Sequence, residues 1–374
     1  MKTKALILFL LLVMAAVAVV GCGGSSGPAK IGLLYMVGQG SNNIIGLNML
    51  GDGELSALPL SNFATNPRPV AMVLHPTKDF IYVANLTSNT VSGFNLDRTT
   101  GVLTPVGTAV APSPVGTAPI GVGIDSTGQF LFVLNQGSAT VAASISVFSI
   151  DPARGLLTQI AGSPFPTLAN PQFLVVSPTS PALYVANGTL STVSGFTIGA
   201  GGALTSIGAP VSAGAGANVM GIAMDPKGQF LFAVDAVNNK VVSFSVAANT
   251  GVLSPVGSPV ATGTTPVAVT VDPSGQFLYA SNRDSDNVSA YTIKAGVLTE
   301  DVGSPFSTKA AGITNSAQPG FLTVDFTNTF LFVSNVNARS VAVFTINGTD
   351  GTLTAITNSP FAEVVSPSWI LTTK

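Results

Sequence analysis

The sequence predicts an all-β fold, a seven-bladed β-propeller of four-stranded blades whose ring is closed by the C-terminal strand pairing with the N-terminal blade. Two observations predict it. An apolar phrase recurs about every 50 residues, as in propellers and solenoids, and β-branched and aromatic runs separated by Gly, Pro and Asn turns fill each interval. The copies of the phrase are GQFLYASN at 275–282, GQFLFAVD at 228–235, GQFLFVLN at 128–135, DFIYVAN at 79–85, PALYVAN at 181–187, NTFLFVSN at 328–335 and the eroded IGLLYMVG at 31–38.

Each repeat unit contains four predicted strands, which we name A to D in chain order. In the unit at 266–306, PVAVTV is strand A, and the turn DPSG leads into strand B, QFLYASN. The order Asp, Pro and Gly at the first, second and fourth positions is typical of a type I turn. VSAYTI is then strand C and VLTEDVG is strand D. The strands do not alternate cleanly between apolar and polar residues, as expected where both faces of a sheet are covered.

The two ends of the chain complement each other. The chain begins at strand B of its first unit, and the tail at 367–373, PSWILTT, matches strand A of the unit at 266. We therefore expect the tail to supply the strand that the first unit lacks, which leaves the ring without free edges. A β-helix is the alternative architecture, but its repeats are usually shorter.

The first thirty residues predict an export address. Lys2 and Lys4 precede an unbroken apolar run at 5–20, which is shorter than the roughly 20 residues of a membrane span, and the run ends at VVGC. This ending resembles the bacterial lipobox, which implies that Cys22 is acylated; an ordinary signal peptide with an incidental cysteine is the alternative. The predicted organisation is a signal peptide at 1–21, a Gly/Ser tether at 22–30 and the propeller at 31–374, with lipid anchoring to a membrane of the cell envelope.

Composition restricts the partners. Cys22 is the only cysteine, so the folded part has no disulfide or thiolate metal site, and we expect no metal and no cofactor. Charged residues are 8% of the chain, against about 25% in a typical globular protein. With Lys2 and Lys4 removed, 12 basic residues face 16 acidic ones without any basic run, so nucleic acid binding has no electrostatic support. The remaining partners are the membrane, through the lipid on Cys22, and a protein, glycan or small-molecule ligand.

The repeated pattern D-P-x-G-Q-F-L-Y-x-x-N, followed by V-x-x-F/Y and G-x-L-T/S-P-V-G-S-P-F, resembles the lactonase-type propellers. That family includes bacterial 6-phosphogluconolactonase and a muconate-lactonizing enzyme, and it overlaps the YVTN-repeat surface proteins. The resemblance implies a ligand near the channel mouth, on the face formed by the B–C loops and D–A connectors. Phosphogluconolactonase-like members carry histidines at the starts of strand A, whereas this chain has none there; its single histidine, His75, stands in an A–B turn on the other face.

A small set of charged residues falls on the predicted ligand face. Arginine suits carboxylate or phosphate recognition, because its guanidinium can bind two oxygens at once. The weak catalytic candidates are Glu363, Asp235 and Arg68, and the ligand-binding candidates are Arg68, Arg283 and Arg339. A carboxylate could act as a general base if burial raised its pKa. The alternative is that all five are solvated loop charges.

Two functions remain open. The first is a lipid-anchored module that binds a protein, glycan or small ligand without chemistry; the second is a lactone hydrolase working at the channel mouth. The missing histidines, the scarcity of ionisable groups and the envelope address favour the binding module.

Overall fold

Seven antiparallel sheets surround a central channel in the computed structural model, which describes residues 27–110, 116–310, 312–362 and 366–374. Each sheet is one blade, and its strands lie side by side in the order A, B, C, D. The A strands are innermost, and each contacts the A strands of the two neighbouring blades around a complete ring. The described residues contain no helix of the length and apolarity that a membrane crossing requires.

The strands follow the predicted units closely. Blades 1 to 3 contain β1 (Lys30–Gln39), β2 (Asn43–Leu50), β3 (Leu55–Ala64), β4 (Pro69–Leu74), β5 (Phe80–Asn85), β6 (Thr90–Leu96), β7 (Leu103–Val110), β8 (Pro119–Ile124), β9 (Phe130–Asn135), β10 (Ser144–Ile150), β11 (Leu157–Gln159) and β12 (Phe165–Pro166). Blades 4 and 5 contain β13 (Pro171–Val176), β14 (Ala182–Asn187), β15 (Thr192–Ile198), β16 (Leu204–Ser206), β17 (Val211–Ser212), β18 (Val219–Met224), β19 (Phe230–Asp235), β20 (Lys240–Val246) and β21 (Leu253–Ala261). Blades 6 and 7 contain β22 (Pro266–Val271), β23 (Phe277–Asn282), β24 (Asn287–Lys294), β25 (Val297–Glu300), β26 (Phe306–Ser307), β27 (Pro319–Val324), β28 (Phe330–Asn335), β29 (Ser340–Ile346), β30 (Leu353–Ala355) and β31 (Phe361–Ala362), and β32 (Ser366–Thr373) completes blade 1. In four blades strand D is split, and its second segment is β12, β17, β26 or β31.

The last strand closes the ring, as the sequence predicts. β32 pairs antiparallel with β1, in a register that places Leu33 opposite Thr373 and Gly38 opposite Pro367. The first residue of β1 and the last residue of the chain are also bonded to the C–D turn of blade 2. The Lys30 Nζ donates to the Thr99 carbonyl at 3.2 Å, and the Arg98 guanidinium donates to the Lys374 carbonyl at 3.1 Å.

The repeated phrase holds each blade to the next one. In blade 6, the Phe277 ring packs on Gly351 in the C–D turn of blade 7, and the buried Tyr279 hydroxyl donates to the Gly351 carbonyl at 2.9 Å. Gly351 has φ +77°, and a Cβ there would overlap the Phe277 ring, so both backbone and space require glycine. The same tyrosine-to-glycine bond joins Tyr35 to Gly101, Tyr82 to Gly155 and Tyr184 to Gly251. Four blades therefore make this bond to the next blade, while blades 3, 5 and 7 have Phe132, Phe232 and Phe332 in place of the tyrosine.

The up-and-down order of the strands gives the ring two different faces. A–B and C–D turns form one, which we call the turn face; B–C loops and D–A connectors form the other, the mouth face. On the turn face, Asp272 caps the A–B turn of blade 6, and its Oδ1 accepts the backbone N–H groups of Gln276 and Phe277, each at 2.8 Å.

His75 caps the A–B turn of blade 2, as Asp272 does in blade 6. Its Nδ1 accepts the backbone N–H groups of Thr77 and Lys78 at 3.2 and 3.1 Å, so Nε2 carries the proton and donates to the Gly128 carbonyl of blade 3 at 2.9 Å. Burial lowers the pKa of this imidazole, as expected when the charged form is desolvated. His75 is thus a neutral turn residue that also links two blades.

Candidate functional site at the channel mouth

A cavity of about 450 Å³ opens on the mouth face, where the A strands begin. This volume lies within the range typical of small-ligand sites, about 300–1,000 Å³. Its lining residues come from A-strand starts, the connector before blade 7, and the B–C loops of blades 6 and 7: Val70, Gln172, Phe173, Met220, Val267, Ala268, Arg283, Gln318, Gly320, Phe321, Val336, Ser368 and Trp369.

Three aromatic rings stand together in the channel and help to line this cavity. Phe173, Phe321 and Trp369 each lie two residues after a proline near the start of strand A, in blades 4, 7 and 1. The Phe321 and Trp369 centroids are 4.0 Å apart and the Phe173 and Trp369 centroids 5.5 Å, with interplanar angles of 13° and 11°. All three side chains are only partly buried. They therefore offer apolar ring surface to a ligand that enters the mouth.

Few polar groups accompany the rings. The Arg283 Nε donates to Asp284 Oδ1 at 3.2 Å, with both side chains nearly half exposed. The hydrogen bond from Thr265 and then the bonds and charge of Arg283 hold the pKa of Asp284 below its usual range, despite partial desolvation. Gln172 Nε2 donates to Asn170 Oδ1 at 2.7 Å. Among the described residues, the mouth thus has one cation, already paired with a carboxylate, and a few neutral hydrogen-bonding side chains.

Left-handed residues in the B–C turns fix the connectors around the mouth. Asn239 (φ 54°) in blade 5 accepts the N–H of Thr265 in the next connector at 2.8 Å. Asp286 (φ 56°) in blade 6 does the same for Ala317 and Gln318, at 2.8 and 2.9 Å. Burial acts to raise the pKa of Asp286, but these bonds and those from Ser316 and Lys309 outweigh it and hold the pKa low. The B–C turn of one blade is therefore hydrogen-bonded to the connector that enters the next blade, and these bonds fix the backbone around the mouth.

Comparison with protein families identifies the fold family. The family described as "Lactonase, 7-bladed beta-propeller" matches residues 34–167, 142–235 and 215–311, well over half of the chain. This chain belongs to that lactonase family. No curated protein sequence matches it.

Solved structures resemble this lactonase-family propeller over most of its length. A protein from Bacteroides uniformis, proposed to be a 6-phosphogluconolactonase, is 18% identical with a TM-score of 0.77, covering 91% of this chain and 99% of its own. The periplasmic gluconolactonase PpgL of Pseudomonas aeruginosa is also 18% identical with a TM-score of 0.77, covering 92% and 99%. At this level of identity the likeness concerns the fold.

The three predicted ligand-binding arginines of this lactonase-family propeller differ in their position relative to the cavity. Arg283 lines the mouth. Arg68 lies on the same face with an exposed side chain, and its backbone N–H donates to Asn42 Oδ1 at 3.0 Å. Arg339 is exposed and left-handed (φ 50°), at the B–C turn position where Asn239 and its equivalents reach the next connector. Arg68 and Arg339 do not line the cavity.

Asp235 is buried on the mouth face, and both of its oxygens are occupied. Oδ1 accepts the backbone N–H groups of Asn218, Val237 and Asn238 at 3.0 to 3.2 Å, and Oδ2 accepts from the Asn238 side chain at 2.6 Å. Five other blades carry asparagine at this position, and in most of them its amide donates to a serine of strand C. Blade 5 has Val242 in place of that serine, and its Asp235 accepts hydrogen bonds from the loop backbone instead.

The two remaining candidates, Glu363 and Cys22, lie outside the described residues, as does the whole predicted signal peptide at 1–21. Within the ranges that the structure describes, no three His, Cys, Asp or Glu side chains are grouped so as to hold a metal ion.

Sequence reasoning missed the aromatic rings of the mouth. The signal was available in the alignment of A strands. The position of these rings holds a small residue in four blades, as Ala71, Gly121, Gly221 and Ala268, and an aromatic one in the other three. Because A strands are innermost, a bulky residue at that position must enter the channel.

Proposed function

We propose that this protein is a lactone hydrolase whose substrate binds at the channel mouth. Membership of the lactonase family supports this reading over the binding module that composition favoured. The observation that carries it is the ligand-sized mouth itself, in which an aromatic surface, one arginine and two glutamines converge. Apolar pockets with a few polar groups are typical of small-molecule sites.

Each side chain has a definite task in this proposal. The rings of Trp369 and Phe321 hold the body of the lactone. Water adds to the carbonyl carbon, the ring C–O bond breaks, and the product is a hydroxy acid that releases a proton near neutral pH. The Arg283 guanidinium donates to the carbonyl oxygen, where negative charge develops as water adds.

The general base that would activate the attacking water can be proposed only from the sequence. Asp235 is poorly suited to be the general base, since both its oxygens already accept hydrogen bonds. Glu363 remains the candidate.

A binding module without chemistry is the second candidate. The described residues that line the mouth include no histidine and no carboxylate, so the visible lining supplies recognition without a proton acceptor.

The proposal is tested by incubating the full chain with a panel of lactones and measuring the acid released with a pH-stat. We expect Arg283→Gln to lower kcat/KM about 10- to 100-fold, as for the loss of one donor to a developing oxyanion. Arg154→Gln is the matched control, because Arg154 is an exposed arginine of the turn face paired with Asp151. Equal rates for both variants would contradict the role assigned to Arg283, and no hydrolysis by the wild type would leave the binding module as the better reading.

We also propose that the chain is anchored in the cell envelope by a lipid on Cys22. The VVGC sequence and the absence of any other cysteine support this. Cys22→Ser is expected to move the protein from the membrane to the soluble fraction, and mass spectrometry of the mature N-terminus should detect the acyl chains. An unmodified N-terminus would disprove the anchor.

A further inference from the structure

The walls of the channel mouth are mostly apolar. The second residue of strand A is Val70, Met220 and Val267 in blades 2, 5 and 6, and all three line the cavity beside Phe321 and Trp369. Each has side-chain surface that is only partly buried. The free energy gained by covering such surface grows with the apolar area that a ligand removes from water.

The polar capacity of the mouth is small by comparison. Gln172 already donates to Asn170, and the Ser368 hydroxyl donates to the Val37 carbonyl at 3.2 Å. A polyhydroxylated ring buried here would leave several hydroxyl groups without partners, which costs free energy for each of them.

The mouth is equally unsuited to selecting a phosphorylated ligand. Arg283, the one cation among the described lining residues, is paired with Asp284, and both side chains are nearly half exposed to water. The guanidinium has further N–H groups that can donate to one carbonyl oxygen, but its charge is already balanced by Asp284 and does not offset the two charges of a phosphate. Phosphate recognition commonly uses bidentate arginines or several convergent donors instead.

We propose that the substrate is a lactone with an apolar body, in which an alkyl or aromatic substituent covers the A-strand side chains and the ester group is the main polar feature. This inference rests on the proposed lactone hydrolysis and names its substrate class. The substituent lies against Met220, Val267 and the aromatic rings, while the ester group faces Arg283 and the glutamines. Lactones of polyhydroxylated sugars, phosphorylated or not, are poorer ligands.

Binding of a homologous lactone series to the full chain tests the substrate class. Trp369 is the only tryptophan and lies in the mouth, so its fluorescence reports occupancy directly. For δ-lactones with alkyl substituents of increasing length, we expect the Kd to fall about fourfold for each added CH2 until the cavity is full. Glucono-δ-lactone and its 6-phosphate should bind more weakly than the longest alkyl lactone by at least about tenfold.

Met220→Gln sharpens the test, because it keeps the side-chain length and adds a polar group. It should flatten the dependence on chain length, whereas Val302→Gln, at a side chain that is 89% exposed, should leave it unchanged. Tighter binding or faster hydrolysis of the sugar lactones would overturn the substrate class and leave lactone hydrolysis standing. Chain-length-dependent binding without hydrolysis would support an apolar ligand class at the mouth and contradict the hydrolase. If neither kind of lactone binds, both proposals fail.

Discussion

The two faces of the ring use the same repeat in opposite ways. On the turn face, Asp125, Asp225, Asp272 and Asp325 each cap their own A–B turn by accepting backbone N–H groups. At the mouth, equivalent positions differ from blade to blade, so that Ala268 in blade 6 corresponds to Trp369 in blade 1. The repeated side chains are structural, and the departures from the repeat create the cavity. In a repeat protein, the residue that breaks the pattern is therefore the first place to look for function.

Removal of β32 should have the largest effect, since this strand both seals the ring and carries Ser368 and Trp369 into the mouth. Deleting residues 366–374 exposes the edge of β1 and uncovers the fully buried apolar side chains of blade 1. We expect loss of cooperative folding, or a large fall in melting temperature, measured by circular dichroism. Deletion of Lys374 alone is the control. An unchanged melting curve would mean that the ring does not need its closing strand.

Gly351→Ala tests the turn face at the contact between blades 6 and 7. The added Cβ meets the Phe277 ring at a backbone φ of +77°, so we expect a loss of about 2–4 kcal/mol in the free energy of unfolding. Gly348→Ala, in the same turn with open space around it, is the matched control in urea denaturation. Similar losses for both variants would show that the inter-blade contact contributes little.

Substitution of Asp235 tests whether a carboxylate on the mouth face has a structural role, like the aspartates of the turn face. Asp235→Ala leaves three backbone N–H groups without their acceptor, which should cost about 1–3 kcal/mol of stability. Asp235→Asn should lose less, because it keeps one acceptor oxygen. A large fall in kcat for Asp235→Asn, with stability intact, would instead identify Asp235 as a catalytic group.

His75 should give the smallest effect, visible as pH dependence. Burial lowers its pKa in the folded protein, although the Gly128 carbonyl and Asp125 act to raise it and Lys78 acts with burial. The unfolded chain takes up a proton first as the pH falls below about 6.5, so the stability that depends on neutral His75 is lost below that pH. Comparing unfolding free energies at pH 7.5 and 5.5, we expect this loss to be smaller in His75→Asn. An identical loss in both proteins would contradict the prediction.

The fold could be predicted from sequence because every blade solves the same packing problem. The spacing of the B phrases sets the blade count, and the match between residues 367–373 and strand A identifies the closing partner. The role of Asp235 could not be predicted, since it depends on where the N–H groups of Asn218 and Asn238 come together in space. For Arg283, Arg68 and Arg339 the sequence indicated the face on which the structure has them, but only the geometry shows that Arg283 alone of the three lines the mouth. Glu363 and Cys22 remain predictions.

The start of β1 at Lys30 and the C-terminal Lys374 are both bonded to blade 2, which determines where a tether at either end joins the ring. Both ends leave the ring on the turn face, and seven residues separate Cys22 from Lys30. Even fully extended, that segment reaches no more than about 30 Å. If Cys22 carries the acyl group proposed above, the short tether joins the ring on the turn face, which favours orientations with the mouth open to molecules that diffuse past the membrane.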